Sequence, residues 1–428
     1  MKNFFNFLLI LMLTFFFGET KASTLLESLQ SAYLNNSKLN AERASMRASR
    51  EEKREAVGEF LPSVTISGYN SAQDNTKGNS SDLYLEPKER SIIVEQKIFQ
   101  GFSGISNLQK KRKGQELGEF KVKNAEQETL LDAAKVHTEL LLNKKKLEIN
   151  LINVDLLERQ VETDQNRLEK GEITLTDLAQ SESSLSGAKA SLMAAENELV
   201  TSKANYEKII GKKSTEDIKE VEEINLRLPE SLATAYNISK TENPELQIAL
   251  LEFEKSKLDV AIAASELSPS ATLKYEIAEQ DNISSTVQER TQQSVTATAT
   301  WPLFAGGKNA FNLRKFQEIK NQKELLYEDQ KKITETEVAN AWSSYQSSKG
   351  VLDSIRSQVT AAEIANEGIT LEYESGSGRT TLEVIQSRSI LLSSRINLAS
   401  SERNYLISQF KLLSAIGRLS AKQLNLKQ

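Results

Sequence analysis

Two stretches of the chain carry one plan, about 206 positions apart. GEITLTDLAQSESSL runs from Gly171 to Leu185 and GRTTLEVIQSRSILL from Gly378 to Leu392. Each reads as a glycine turn, then Thr-x-x-acid, then a leucine-rich helix. The same offset returns Ala32-Tyr33 as Ala235-Tyr236, Leu61-Pro62-Ser63 as Ser268-Pro269-Ser270, and Ile210-Gly211 as Ile416-Gly417. The chain is therefore expected to fold as two copies of one unit, residues 23–211 and 229–418. Residues 212–228 form a connection between them, read as lying on the outside of the assembly. The tail 419–428 is expected to lie there too.

Within each copy the order is helix, strand, polar loop, strand, very long helix, turn, long helix. Leu178, Leu185, Leu192, Leu199 and Tyr206 fall seven apart, as do Val384, Leu391, Leu398, Tyr405 and Leu412. A seven-residue stripe marks a helix face packed on a neighbour in coiled-coil fashion. Leu140, Leu147, Val154, Val161 and Leu168 form another such stripe. The helical stretch from Gly101 to Lys170 would be roughly 105 Å long, and its return from Leu175 to Gly211 about 55 Å. The helix before the first strand, Leu25 to Glu59, would supply roughly 50 Å more. Two shorter helices end to end then match one long one, and the second copy repeats the sum. The turns fall at Gly171 and at Gly376 to Gly378.

Four short strands alternate apolar and polar residues, at about 63–70, 91–99, 270–277 and 294–303. VTATATWPL, Val295 to Leu303, is the clearest, with Pro302 expected to end it. Ile93 interrupts an otherwise regular second strand. Such strands suit a transmembrane β-barrel, with Tyr69, Tyr275, Trp301 and Phe304 as candidate interfacial girdle residues facing outer-membrane lipid. A soluble sandwich is the alternative. Four strands are too few for a closed membrane barrel, whose smallest form has about eight, so several identical chains would have to share one.

The chain has no cysteine and a single histidine, His137, which reads as an ordinary helix residue. Thiolate metal sites, disulfides and cysteine nucleophiles are excluded, and no cofactor or metal is expected. A net charge of −5 with 26% charged residues is not the profile of a nucleic-acid binder. Residues 1–22 read as a secretory signal: Lys2, an apolar run from Phe4 to Phe17, and a cleavage site near Ala22. An uncleaved interfacial anchor is the alternative.

The duplicated half, the FLPSVTIS and LSPSATLKY approaches to the strands, the PLFAGGK exit and the two tip-and-heptad segments together resemble the TolC-like outer-membrane efflux channel family, over essentially the whole mature chain. The fold class is accordingly mainly α with a small β part: tandem long helical hairpins forming a periplasmic α-barrel, and four strands per chain in a shared trimeric β-barrel. The resemblance implies a homotrimer that docks a periplasmic adaptor (membrane fusion protein) and an inner-membrane pump of RND or ABC type. It implies an outer-membrane location with a periplasmic extension. It also matches Thr176, Asp177 and Arg379 to residues that bond between neighbouring helices and hold the tip shut, and Glu383 to a first acidic ring. The second acidic position is Gln386 here, and one extra residue separates Tyr373 from Arg379.

Two readings of the tip acids stand side by side. Thr174-x-x-Asp177 and Thr380-x-x-Glu383 are capping boxes that satisfy backbone N–H groups at a helix start. Alternatively, copies of Glu383 converge near an axis and favour cations, while Arg379 holds a carboxylate such as Asp177 across the helix pair. The basic runs at Gln109 to Lys113 and Asn143 to Lys146 read as solvated helix faces, the first alternatively as a contact with lipid headgroups. The function expected is a passive exit duct for efflux or type I secretion, without catalysis. A periplasmic coiled-coil adaptor or scaffold without a pore is the alternative, and a periplasmic enzyme a third reading.

Overall fold

The structure, a computed structural model, describes residues 24–75, 83–212, 226–284, 286–376 and 378–427. The expected signal and most of the connection between the copies lie outside the described residues. The chain divides into two compact units, one of residues 42–122 and 244–332, the other of 1–41, 123–243 and 333–428. The element order is α1 (Leu25–Asn35), α2 (Ser37–Gly58), β1 (Ser63–Asn70), β2 (Gln73–Asn75), β3 (Leu83–Leu85), β4 (Lys88–Gln100), α3 (Ser103–Glu169) and α4 (Leu175–Ile210). It then repeats as α5 (Leu232–Glu242), α6 (Pro244–Ser265), β5 (Ser270–Ser284), β6 (Val287–Thr300), α7 (Lys308–Glu374) and α8 (Thr381–Ala415). The chain is mainly α with a small β part, as expected, and α3 and α7 each run for 67 residues.

The first unit holds the sheet, antiparallel throughout and ordered β1-β4-β5-β6, with β2 and β3 paired separately. β5 and β6 run farther from the helices than the amphipathic pattern marked. Their outer parts pair polar residue to polar residue, Gln280 with Arg290 and Asp281 with Glu289, and backbone hydrogen bonds need no apolar face to continue. β6 stops at Thr300, before Pro302, whose missing N–H cannot join a ladder. The basic run lies on a partly exposed helix face whose lysines are paired with other helices: Lys110 with Asp259, Lys111 with Glu52, and Lys113 with Glu254.

The second unit is built on helix seams. The leucine stripe of α4 is only half of one. Ser181, Ala188, Ala195 and Ser202 recur seven apart between the leucines and are buried. Ser387, Ser394, Ser401 and Ser408 do the same in α8. A small residue every second layer lets helix backbones approach while the large residue fills the adjoining layer. A larger core gathers Leu29 and Ala32 of α1, Leu130 and Ala134 of α3, and Phe410 and Leu413 of α8.

Each expected helix before a strand is broken in two, at Asn36 and at Asn243. Both asparagines are extended C-caps. Asn36 Nδ2 donates to Ile209 O, and Asn243 Nδ2 to Ala415 O. The break is thus where the end of each return helix docks. The tail is not external: Leu419, Ala421 and Leu424 are buried in the core, and Gln30 exchanges hydrogen bonds with the backbone of Lys427 at 2.6 Å each. Lys145 and Lys146, partly exposed, pair with Glu402 and Glu198, while Asn143 is buried.

Candidate functional site

Two surfaces of the chain bear on function, one on the sheet and one at the hairpin turns. On the sheet, register places Val64, Val94, Tyr275 and Val295 in one row, and Ile66, Ile92, Ile277 and Gln293 in the next. Because side chains alternate with a period of two, these rows share a face with Leu273, Ala297 and Ala299. Ser63, Glu95, Lys274 and Thr296 form a row of the opposite face. The apolar face is uncovered in the single chain: Val64 is 66% exposed, Ile66 78% and Val295 69%. β1 pairs only with β4, and β6 only with β5, so both edges of this sheet are open among the described residues.

The candidate girdle residues divide. Trp301 and Phe304 are exposed just beyond β6, and Trp301 Nε1 donates to Leu267 O at 3.1 Å. Phe60, Phe102 and Phe311, which the alternation did not single out, are exposed in the same unit next to the strand–helix junctions. Tyr275 lies within β5, opposite Val94, rather than near a strand end. Tyr69 is paired with Glu89 and, by the two-residue period, shares the face of Ser67 and Thr65. It does not belong with Val64 and Ile66.

At the turns, Gly171, Gly376 and Gly378 all have positive φ, which glycine adopts without the clash a Cβ would bring. Both capping boxes form. Thr174 accepts from the Asp177 backbone N–H, and Asp177 Oδ2 accepts from Thr174 N–H at 2.9 Å. Glu383 Oε2 accepts from Thr380 N–H at 2.9 Å. These backbone donors hold both carboxyls below the usual carboxylate range, helped by the Thr174 hydroxyl at Asp177 and by Arg379 at Glu383. Arg379 stays within its own hairpin, where Nε donates to Glu372 Oε2 at 2.6 Å and Nη1 to Glu383 Oε1 at 2.9 Å. Its bridge within the chain is therefore to these two glutamates and not to Asp177. Both raise its pKa, Glu372 the more. The Glu372 partnership was invisible to a motif that began at the glycine, although the seven-residue spacing across the turn could have suggested it. Thr176 and Gln386 are exposed.

Tyr373 is buried despite the extra residue before Arg379. Its hydroxyl lies 3.1 Å from Asp164 Oδ1 and 3.1 Å from Thr381 Oγ1, and the Arg167 guanidinium sits 4.6 Å from its ring centroid. Burial pushes its pKa up. His137 also has a structural place. Its Nδ1 is 2.8 Å from Ser28 Oγ, which lies 2.8 Å from Tyr206 Oη, and burial lowers its pKa to about 4.

A sheet with an uncovered apolar face and open edges in one unit, and long paired helices with capped turns in the other, are features that suit an outer-membrane efflux protein. The chain belongs to the outer membrane efflux protein family, whose profile matches it twice, over residues 28–212 and 235–418. It is 26% identical to the outer membrane efflux protein BepC of Brucella suis, across 95% of this chain and 88% of that protein. It is 24% identical to the outer membrane protein TolC of Vibrio cholerae, across 94% and 93%. Its fold is also that of the CmeC outer membrane channel of Campylobacter jejuni, with TM-score 0.83 at 12% identity, covering 96% of this chain and 91% of that one. The outer-membrane channel OprN gives TM-score 0.81 at 17% identity, over 93% and 91%.

Proposed function

We propose that the chain is one protomer of a homotrimeric outer-membrane channel-tunnel, the passive exit duct of a tripartite efflux or type I secretion system. The observation that carries this reading is the sheet: its apolar face needs lipid and its open edges need strands from other copies. Three copies supply about twelve strands, a number that closes with a water-filled interior. The duct has no catalytic step and no cofactor, and transport energy comes from a pump. The hairpin turns form the periplasmic gate, with Thr176, Asp177, Arg379, Glu383 and Gln386 at the tip. Docking of a periplasmic adaptor and an inner-membrane RND or ABC pump opens it. Residues 1–22 direct export and are removed near Ala22.

Planar-bilayer recording of the purified protein tests the reading. A small, cation-preferring single-channel conductance supports it. Purified protein that stays in the aqueous phase and never inserts would instead make the chain a scaffold without a pore.

A further inference from the structure

Where the sheet meets the helices of the first unit, the chain forms an open cavity of about 1010 Å³. Its floor belongs to the polar face of the sheet. Lys97 stands opposite Thr272, and Gln100, Ser270 and Thr300 make the next row toward the helices. By the two-residue period Lys97 and Thr272 share the face of Glu95 and Lys274, opposite the one that carries Val64 and Ile66.

The walls are fixed by bonds of their own. Asn309 Nδ2 donates to Glu266 O at 2.9 Å, and Asn312 Nδ2 to Glu266 Oε2 at 3.1 Å, which ties the start of α7 to the end of α6. Between β4 and α3 the chain passes close to the start of β5: a Cβ on Gly101 would lie 2.6 Å from Ser268 Cβ. The cavity therefore has its shape before any ligand arrives, which lowers the ordering cost of binding.

Its charge is unbalanced. Lys97, Lys308 and Lys315 line it against one carboxylate, Glu266, whose Oε2 is already engaged by Asn312. Among the described residues none of the three lysines makes an ion pair; Lys315 Nζ lies only against the Phe316 ring, 4.5 Å from its centroid. Lys110, Lys111 and Lys113 of α3 are each matched by an acid, and Lys274 on the polar face by Glu276 at 3.0 Å. The first residues of α3 and α7, Ser103 and Lys308, also line the cavity, and the positive end of a helix adds to the attraction for an anion. Ile262, Pro302 and Phe311 supply an apolar wall beside these cations.

We propose that this cavity is a binding site for organic anions. The charged group, a carboxylate, sulfonate or phosphate, is held by Lys97, Lys308 and Lys315, and an apolar body lies against Ile262, Pro302 and Phe311. Placing the site in the lumen, on the path of exported solutes, rests on the channel reading, in which the polar face of the sheet lines the water-filled interior. Binding itself does not. In a duct the site would concentrate anionic solutes, the opposite preference to that of the tip carboxylates.

Isothermal titration of the detergent-solubilised protein with naphthalenesulfonate tests the site. Wild type should bind saturably, and more weakly as salt is raised. Lys308→Gln and Lys315→Gln should each weaken binding several-fold, and the triple variant Lys97→Gln/Lys308→Gln/Lys315→Gln roughly tenfold or more. All three lysines are exposed, so the variants keep the fold. Lys320→Gln, on α7 but outside the lining, should bind as wild type does. Unchanged affinity in the triple variant overturns the proposal, as does equal binding of uncharged naphthalenemethanol. In a bilayer of neutral lipid, naphthalenesulfonate should reduce the current reversibly, more at the polarity that drives anions into the duct. A block that the triple variant retains overturns the lumenal placement. Lysine-dependent binding in a protein that carries no current would retain the anion site and reject the channel reading.

Discussion

Arg379, just before the Thr380 N-cap, reaches Glu383 in the first turn of α8, with Nη1 of the first 2.9 Å from Oε1 of the second. The other oxygen of that carboxylate accepts from the Thr380 backbone. The acid is both a helix cap and half of an ion pair within its own hairpin. Asp177, by contrast, is a cap whose bonds all run to Thr174.

Removing the cation should therefore release charge at the tip. Arg379→Ala leaves Glu372 and Glu383 without their shared partner. Single-channel recording should show a larger conductance and a reversal potential moved toward ideal cation selectivity. Glu383→Gln, which keeps one oxygen for the Thr380 N–H, should reduce cation preference. An unchanged reversal potential in both would mean that Glu383 serves only as a cap.

The small-residue layers make a packing prediction. Ala188 and Ser394 lie in equivalent buried layers of α4 and α8. Ala188→Leu or Ser394→Leu inserts volume where backbones are close and should destabilise by about 2 kcal/mol each. Met193→Leu, on an exposed position of the same α4 helix, should be nearly neutral. Denaturant midpoints of the three variants give the comparison.

Gly417 is the tightest point of the docked helix ends. A Cβ there would lie 2.2 Å from Glu242 O, and its φ is +87°. Gly417→Ala should cost about 3 kcal/mol or more, since backbone must move as well as strain be accepted. Gly211, its counterpart in the first copy, has φ +75° but would meet only Asn35 Cβ at 3.3 Å. Gly211→Ala should cost about 1 kcal/mol. Thermal melting in detergent would rank the two.

His137 makes stability depend on pH. Its folded pKa, about 4, lies below the ordinary 6.5, so the unfolded chain takes up the proton first as pH falls. The neutral ring's contribution is whole above pH 6.5 and is lost progressively between 6.5 and 4. The loss is about 2 kcal/mol at pH 5 and about 3 kcal/mol once pH is below 4. Melting wild type and His137→Gln at pH 5 and pH 8 isolates the effect. An equal pH dependence in the two proteins would assign acid sensitivity to other groups.

Much of this protein is written in local pattern. Duplication, the extents of α3, α4, α7 and α8, the two faces of the sheet and both capping boxes follow from spacings of two, three and seven residues, which local backbone geometry enforces. The alternation could not set how far β5 and β6 run, since polar pairs carry a ladder equally well. It did contain the place of Tyr69: the period of two that groups Val64 with Ile66 puts Tyr69 with Thr65 and Ser67.

What the tertiary structure alone decided is partnership between distant segments. Asn36 and Asn243 break their helices because the ends of α4 and α8 arrive there, and Leu419 to Leu426 fold inward because a core left open by other helices receives them. Asp164 follows Val161 and precedes Leu168 in an ordinary heptad. Only the approach of α7 supplies the Tyr373 hydroxyl that satisfies its carboxylate. Helix periodicity states which residues face a neighbour; which neighbour they face is settled by packing between segments some two hundred positions apart.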